Sequence, residues 1–130
     1  MATAPIFFAT PFAAQAQISA ANTNLDGSGT VVDLFAVQAA ALKVERINVK
    51  AIVTTTAGMI RIFAHDGTNT RLIRELAVDA ITKSATVAAF SASLDFTRPE
   101  DLLVLPVGWQ LKASTEKAEA FNLATIGALA

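Results

Sequence analysis

The chain has no cysteine, a single histidine and few charged residues, and each shortage removes a class of function. Without cysteine there are no disulfides, no thiolate metal ligands and no cysteine nucleophile, while the redox compartment is left open. One histidine, His65, cannot build the imidazole clusters of a catalytic zinc site. The 10 basic and 11 acidic residues are spread along 130 positions with a pI near 5.7. No cationic stripe forms that could track a phosphate backbone, so nucleic acid is not an expected partner. A membrane is not expected either. No apolar run of about 18 residues stands outside the Ala-rich start, and that start is interrupted by Pro5, Pro11, Gln15 and Gln17.

What is present is apolar. Hydrophobic residues make up 53% of the chain and charged residues only 16%, a high ratio for a small monomer, and some of that surface is expected to meet other subunits. The length suits one domain that buries about two thirds of its unfolded surface without staples.

The most informative stretch is Thr54 to Leu76, two strand-like runs separated by a turn rich in Asp, Gly and Asn. Asp66-Gly67 alone suggests a two-residue type I′ turn. Cross-strand matching favours a longer loop from Asp66 to Thr70, which opposes Ile60 to Leu76, Arg61 to Glu75 and Phe63 to Ile73. Apolar residues then meet apolar ones and opposite charges meet, each pair contributing roughly 0.2 to 1 kcal/mol. In this register both faces are mixed. Ile60, Ile62, Leu72 and Leu76 share one face with Arg74, while Met59, Phe63 and Ile73 share the other with the Arg61-Glu75 pair. A second layer or a second subunit is therefore expected to cover the second face.

Around this hairpin the chain reads as short strands and polar turns. Thr30 to Val37 alternates with Val32 and Leu34 on one face, and Val37 to Arg46 has at most one helical turn of Ala-rich character. Period-two alternation then runs from Lys43 to Val53, from Thr86 to Phe96 and from Trp109 to Ala113, with a short run Leu102 to Leu105 and a last one from Phe121 to Leu129. Arg98 to Asp101 and Ser114 to Glu119 read as turns. The pattern predicts an all-β, single-domain β-sandwich or jelly roll of seven or eight antiparallel strands, over residues 21–130. Residues 1–20 are read as an extended N-terminal arm. Ala14-Gln15-Ala16 resembles a signal cleavage site, but the first basic residue is Lys43, and a secretory leader needs positive charge near its start. An uncovered arm bearing Phe7, Phe8 and Phe12 would be costly in water, so these three side chains are the candidate partner-binding residues.

Candidate chemistry is sparse. Asn22-x-Asn24-x-Asp26-Gly27 with Asp33 loosely matches a calcium loop, yet it has two carboxylates and a short Asp where a bidentate Glu is wanted. Turn formation accounts for the same residues. His65 has no evident nucleophile beside it, and in a strand adjacent residues point to opposite faces, so a turn-stabilising role is expected. The carboxylate pairs Glu100-Asp101 and Glu116 with Glu119 lie in polar turns, where nothing local would desolvate them into a general acid and base. Trp109 alternates with Leu111 and reads first as a core residue, with sugar stacking as the alternative. No glycine loop that would cradle phosphate opens a helix. The residues indicate no catalytic site, no metal and no cofactor.

Three segments, ANTNLDGSGT from Ala21, TTTAGMIRIFAHDGTNTRLIREL from Thr54 and LPVGWQLKASTEKAEAFN from Leu105, together resemble a family of small virion structural proteins of tailed bacteriophages. The resemblance implies a β-sandwich or jelly roll in the particle. It further implies a head decoration or cement protein, made in the host cytoplasm, that binds the major capsid protein on the outside of the lattice as an oligomer, often a trimer. A tail or baseplate component and a glycan-binding module are the alternatives. The family brings no catalytic motif, and the apolar start up to Ala20 is longer than its members carry.

Overall fold

The computed structural model describes residues 8–130. Among these, the backbone forms nine strands, β1 (Thr10–Ile18), β2 (Val32–Asp33), β3 (Leu42–Ala51), β4 (Gly58–His65), β5 (Thr70–Val78), β6 (Ser91–Asp95), β7 (Leu103–Leu105), β8 (Gln110–Thr115) and β9 (Phe121–Leu129), with one short 3-10 turn at Pro99–Asp101. They make two antiparallel sheets. Sheet A has the order β1-β9-β3-β6, with β7 also on β3, and sheet B has the order β2-β8-β4-β5.

The pairings nest. β1 lies on β9, β2 on β8, β3 on β6 and β4 on β5, so the chain is one long folded ribbon whose successive strand pairs go alternately to the two sheets. That is the jelly-roll topology, which rolls an antiparallel ribbon into two facing layers. The expected all-β sandwich is found.

Alternation explains which faces meet. In β3, Leu42, Val44, Ile47, Val49 and Ala51 are buried, and in β9 Phe121, Leu123 and Thr125 are buried. The apolar ones face Ile60 and Ile62 of β4 and Leu111 and Ala113 of β8 in one hydrophobic cluster, joined by Ile18, Leu34, Leu94, Phe96 and Leu105. Each such aliphatic or aromatic side chain contributes about 1.5 to 3 kcal/mol on leaving water. Arg74 closes one margin of this core, its guanidinium 4.9 Å from the Phe96 ring centroid. Gly127 is needed where β9 meets an irregularity in β3 between Val44 and Arg46, because a Cβ there would overlap the Lys43 carbonyl.

Several expectations change in detail. Thr10–Ile18 is not a free arm: it pairs with β9 along its whole length, so the sandwich begins inside the stretch read as an arm over residues 1–20. The pattern Phe12, Ala14, Ala16, Ile18 with Gln15 and Gln17 between them is ordinary strand alternation. The Ala-rich segment before β3 contains no helical turn. The strand expected over Thr86 to Phe96 shortens to Ser91–Asp95, and that over Thr30 to Val37 shortens to Val32–Asp33.

The hairpin keeps half of its expected register. Ile60 opposes Leu76 and Arg61 opposes Glu75, but the register shifts after Ile62, so Phe63 opposes Leu72 and not Ile73. Ile73 is the extra residue of a bulge, and the loop shortens to Asp66–Asn69. Backbone amides explain the shorter loop. The Asp66 carboxylate accepts from Thr68 N at 2.9 Å and Asn69 N at 2.7 Å, which closes the turn before Thr70.

Candidate interaction surface

The two outer faces of the sandwich differ. On sheet B the outer residues of β4 are Met59, Arg61, Phe63 and His65, and Phe63 is fully buried although it lies outside the main hydrophobic cluster. The cover is the segment from Asn22 to Thr30. It leaves β8 at the Asn22 N to Thr115 O bond of 2.8 Å, and its Gly27 packs against the side chain of Thr70 at the start of β5. Thr70 Oγ1 is 2.8 Å from His65 Nδ1, which sits two residues from Phe63 on the same face. The loop therefore crosses the outer face of sheet B, and the second layer expected over the hairpin is supplied by the chain itself.

Side chains hold this loop in shape. Asn22 is 6% exposed; its Nδ2 donates to Ser28 O and Thr30 O at 2.9 Å each, and its Oδ1 accepts from Asn24 N at 2.9 Å. The Asp26 carboxylate accepts from the Ser28 hydroxyl and, at 3.0 Å, from Ser28 N. These bonds, the hydroxyl's first, hold the Asp26 pKa below the usual carboxylate value, and the amides of Asn69 and then Thr68 do the same for Asp66. The calcium-like spacing thus encodes a self-bonded turn. Gly27 and Gly29 adopt φ of 85° and 79°, in the left-handed region that glycine reaches without strain.

Beneath the same face Arg61 is 7% exposed, with Nε 3.0 Å from Glu75 and Nη2 3.8 Å from Glu116. Two carboxylates around a buried guanidinium offset its desolvation. Glu119 Oε2 accepts from Thr56 N at 3.0 Å and Thr56 Oγ1 at 2.9 Å. Glu116 and Glu119, read as solvated turn residues, instead tie their turn to β4 and to the segment before it. Glu100 and Asp101 both pair with Arg98, at 3.5 Å and 2.6 Å. Trp109 is half-buried against the core, and Gln110 is buried, donating to Phe35 O at 2.9 Å. Among the described residues no three His, Cys, Asp or Glu side chains gather as a metal group.

Among the described residues, sheet A has no such cover. Its outer face is a grid in which Pro11, Ala13, Gln15 and Gln17 of β1 lie beside Ala128, Ile126, Ala124 and Asn122 of β9, which lie in turn beside Lys43, Arg46, Asn48 and Lys50 of β3. The centre is small and uncharged, and basic residues stand on the third strand, where Asp95 pairs with Arg46 at 2.7 Å. Ile126 is 40% exposed, and Val104, paired with Lys43, is 48% exposed. A shallow depression of about 450 Å³ runs between Gln15, Gln17, Asn48, Lys50 and Asn122.

Of the three candidate anchors, Phe7 lies outside the described residues. Phe8 is half-buried. Phe12 turns inward, its ring edge-on to Phe35 with centroids 5.4 Å apart. Phe12 therefore serves the core of its own chain and is not a free anchor.

No family model and no curated protein matches the chain. Among solved structures, a chain from the crystal structure of the T13 IBDV viral particle is similar, with 13% identity and a TM-score of 0.36, over 89% of this chain and 30% of that one. At that level the likeness adds nothing to the fold already described.

Proposed function

We propose that this is a non-enzymatic structural protein of a virus particle, a decoration or cement protein that binds the major capsid protein on the outside of a head lattice as an oligomer. The observation that carries the reading is the outer face of sheet A, uncovered among the described residues, with small, apolar or amide side chains on β1 and β9 and basic ones on β3, beside a sheet B whose outer face is crossed by the Asn22 to Thr30 loop. The resemblance of three segments to virion structural proteins of tailed phages supports the location. The polar side chains that sequence offered for catalysis are engaged in turns and ion pairs, and adhesion asks nothing more of them. A protein repeated over a shell needs no single strong contact, because many identical sites multiply weak ones.

The test is localisation with copy number. Particles carrying a labelled copy are imaged, and the number of chains per particle is measured by quantitative mass spectrometry. Regular density on the head with a copy number set by the lattice is the expected result. Label confined to the tail moves the protein to the tail or baseplate, and particles without it overturn the reading.

A further inference from the structure

Every open sheet invites a further strand at its edges, and proteins usually blunt those edges with short strands, bulges, charge or proline. Three of the four edges here are blunted. β2 has two residues, and the margin of sheet A formed by β6 and β7 is broken into pieces of five and three. β5 is nine residues long but carries Arg71, Arg74 and Glu75 and bulges at Ile73. β1 is the exception. Its nine residues, TPFAAQAQI, bear no charge and pair with β9 in unbroken register, and Pro11 near one end is the sole blunting device. Among the described residues, no backbone hydrogen bond reaches β1 from its other side. The uncharged stretch is longer than the strand, since the first charged residue of the chain is Asp26.

We propose that the free edge of β1 pairs antiparallel with β1 of a second copy of this chain, about a two-fold axis near Ala14, so that two copies of sheet A become one continuous sheet. The strand is complementary to itself. About Ala14, Phe12 of one copy opposes Ala16 of the other on the inner face, large against small. On the outer face Ala13 opposes Gln15 and Pro11 opposes Gln17. Side-chain amides both donate and accept, so glutamines near a two-fold axis satisfy one another where charges of one sign would repel. β5 treated the same way would set Arg74 against Arg74. The inner residues Phe12, Ala14 and Ala16 are only half-buried in the single chain, and a neighbouring strand completes their cover.

A nine-residue edge is about 30 Å long at 3.4 Å per residue. One strand pair lies at the small end of stable interfaces, so the dimer is expected to be weak and concentration-dependent in free solution. The contact is isologous, which closes at two copies. It differs from the trimer that the resemblance implies, and it stands whether or not the chain belongs to a particle.

The chain's lack of cysteine makes the test clean. Single cysteines are placed at Ala13, Ala14, Gln15 and Ala16 of the full chain and oxidised at several concentrations. Directly opposed residues of an antiparallel pair lie within disulfide reach, and positions away from the axis do not. Cross-linked dimer peaking sharply at one of the four positions is the expected result. In parallel, sedimentation of the unmodified chain is compared with Ala13→Lys/Gln15→Lys, which sets like charges across the axis and is expected to weaken dimerisation about tenfold. A chain that stays monomeric at all concentrations, forms trimers indifferent to the double substitution, or cross-links without a preferred position overturns the proposal. If the lysine variant loses its far-UV signal, the near-isosteric Ala14→Cys cross-link decides alone.

Discussion

At matching places on the two outer faces stand Phe63, fully buried on the face that the Asn22 to Thr30 loop crosses, and Ile126, 40% exposed. Both are large apolar residues on middle strands of a sheet. On sheet B the nine residues from Asn22 to Thr30, all but Leu25 being Asn, Thr, Asp, Gly or Ser, form a lid on the face where Phe63 is buried. On sheet A the chain leaves the face open, with small and amide side chains on β1 and β9 and Lys43, Arg46 and Lys50 on β3. On the function proposed above, a fold that covers one sheet and leaves the other open separates a stabilising face from an adhesive one.

The largest test of that separation is to remove the two side chains in turn. Phe63→Ala should destabilise by about 3 to 5 kcal/mol, because a fully buried ring leaves a cavity between sheet and lid. Ile126→Ala should cost less than about 1 kcal/mol, since much of that side chain is already in water. Urea denaturation with equal m-values reads both. Similar losses at the two sites would erase the distinction.

The lid itself is tested at Asn22. Asn22→Asp keeps the size and removes the two donated bonds to Ser28 O and Thr30 O. A loss of about 1 to 2 kcal/mol is expected, because the buried Asn22 side chain loses both donated bonds and a carboxylate would face two carbonyl oxygens. Amide exchange should quicken from Asn22 to Thr30 and around Phe63, while β3 and β9 keep their protection. Uniform quickening in both sheets would mean that the loop is not a separate layer.

Acid should loosen the same region. Asp26 and Asp66 have folded pKa values below the ordinary 3.8, so each contributes stability that is present above that value and is lost as pH falls through the lowered one. Asp26 lies in the lid and Asp66 in the β4-β5 turn, on the two sides of the Gly27 contact with Thr70. Between about pH 5 and strongly acid solution, the lid side is expected to weaken, and Asp26→Asn with Asp66→Asn should flatten that part of the profile. An unchanged slope in the double variant would remove these two carboxylates from the account.

Much of this architecture was legible in the residues. Alternation located β3, β4, β8 and β9, and the Arg61-Glu75 match set the first half of the hairpin correctly. The bulge was not legible, because Phe63 meets Leu72 as comfortably as Ile73 and only the Asp66 turn decides between them. The lid was read as a turn, and its self-bonded shape bears that out, but not as a cover. Nothing local in NTNLDGSGT says which sheet it crosses, because it is held by Thr115 and Thr70, more than forty positions away in sequence. β1 was misjudged for a different reason. Its Ala and Gln residues have low strand propensity, and Pro5 and Pro11 suggested an arm, although the period-two pattern was there. The lack of charge that went with that arm reading is what marks the edge of β1 as open.

The smallest expected effect on stability bears most on function. Gln15→Ala, Asn48→Ala and Ile126→Ser lie on the bare face of sheet A, and each should change unfolding free energy by no more than about 0.5 kcal/mol, apart from a somewhat larger loss at Ile126. On a particle the same changes are multiplied by every copy, so attachment should fall far more than folding does. Occupancy on particles, measured against competing unmodified protein, checks this. The comparison that matters is with substitutions of equal size on the lid, such as Leu25→Ser, an exposed residue at 55% on the covered side. If Leu25→Ser releases the protein from particles and the sheet A changes do not, the adhesive face is the lid, and the bare face is open for want of need.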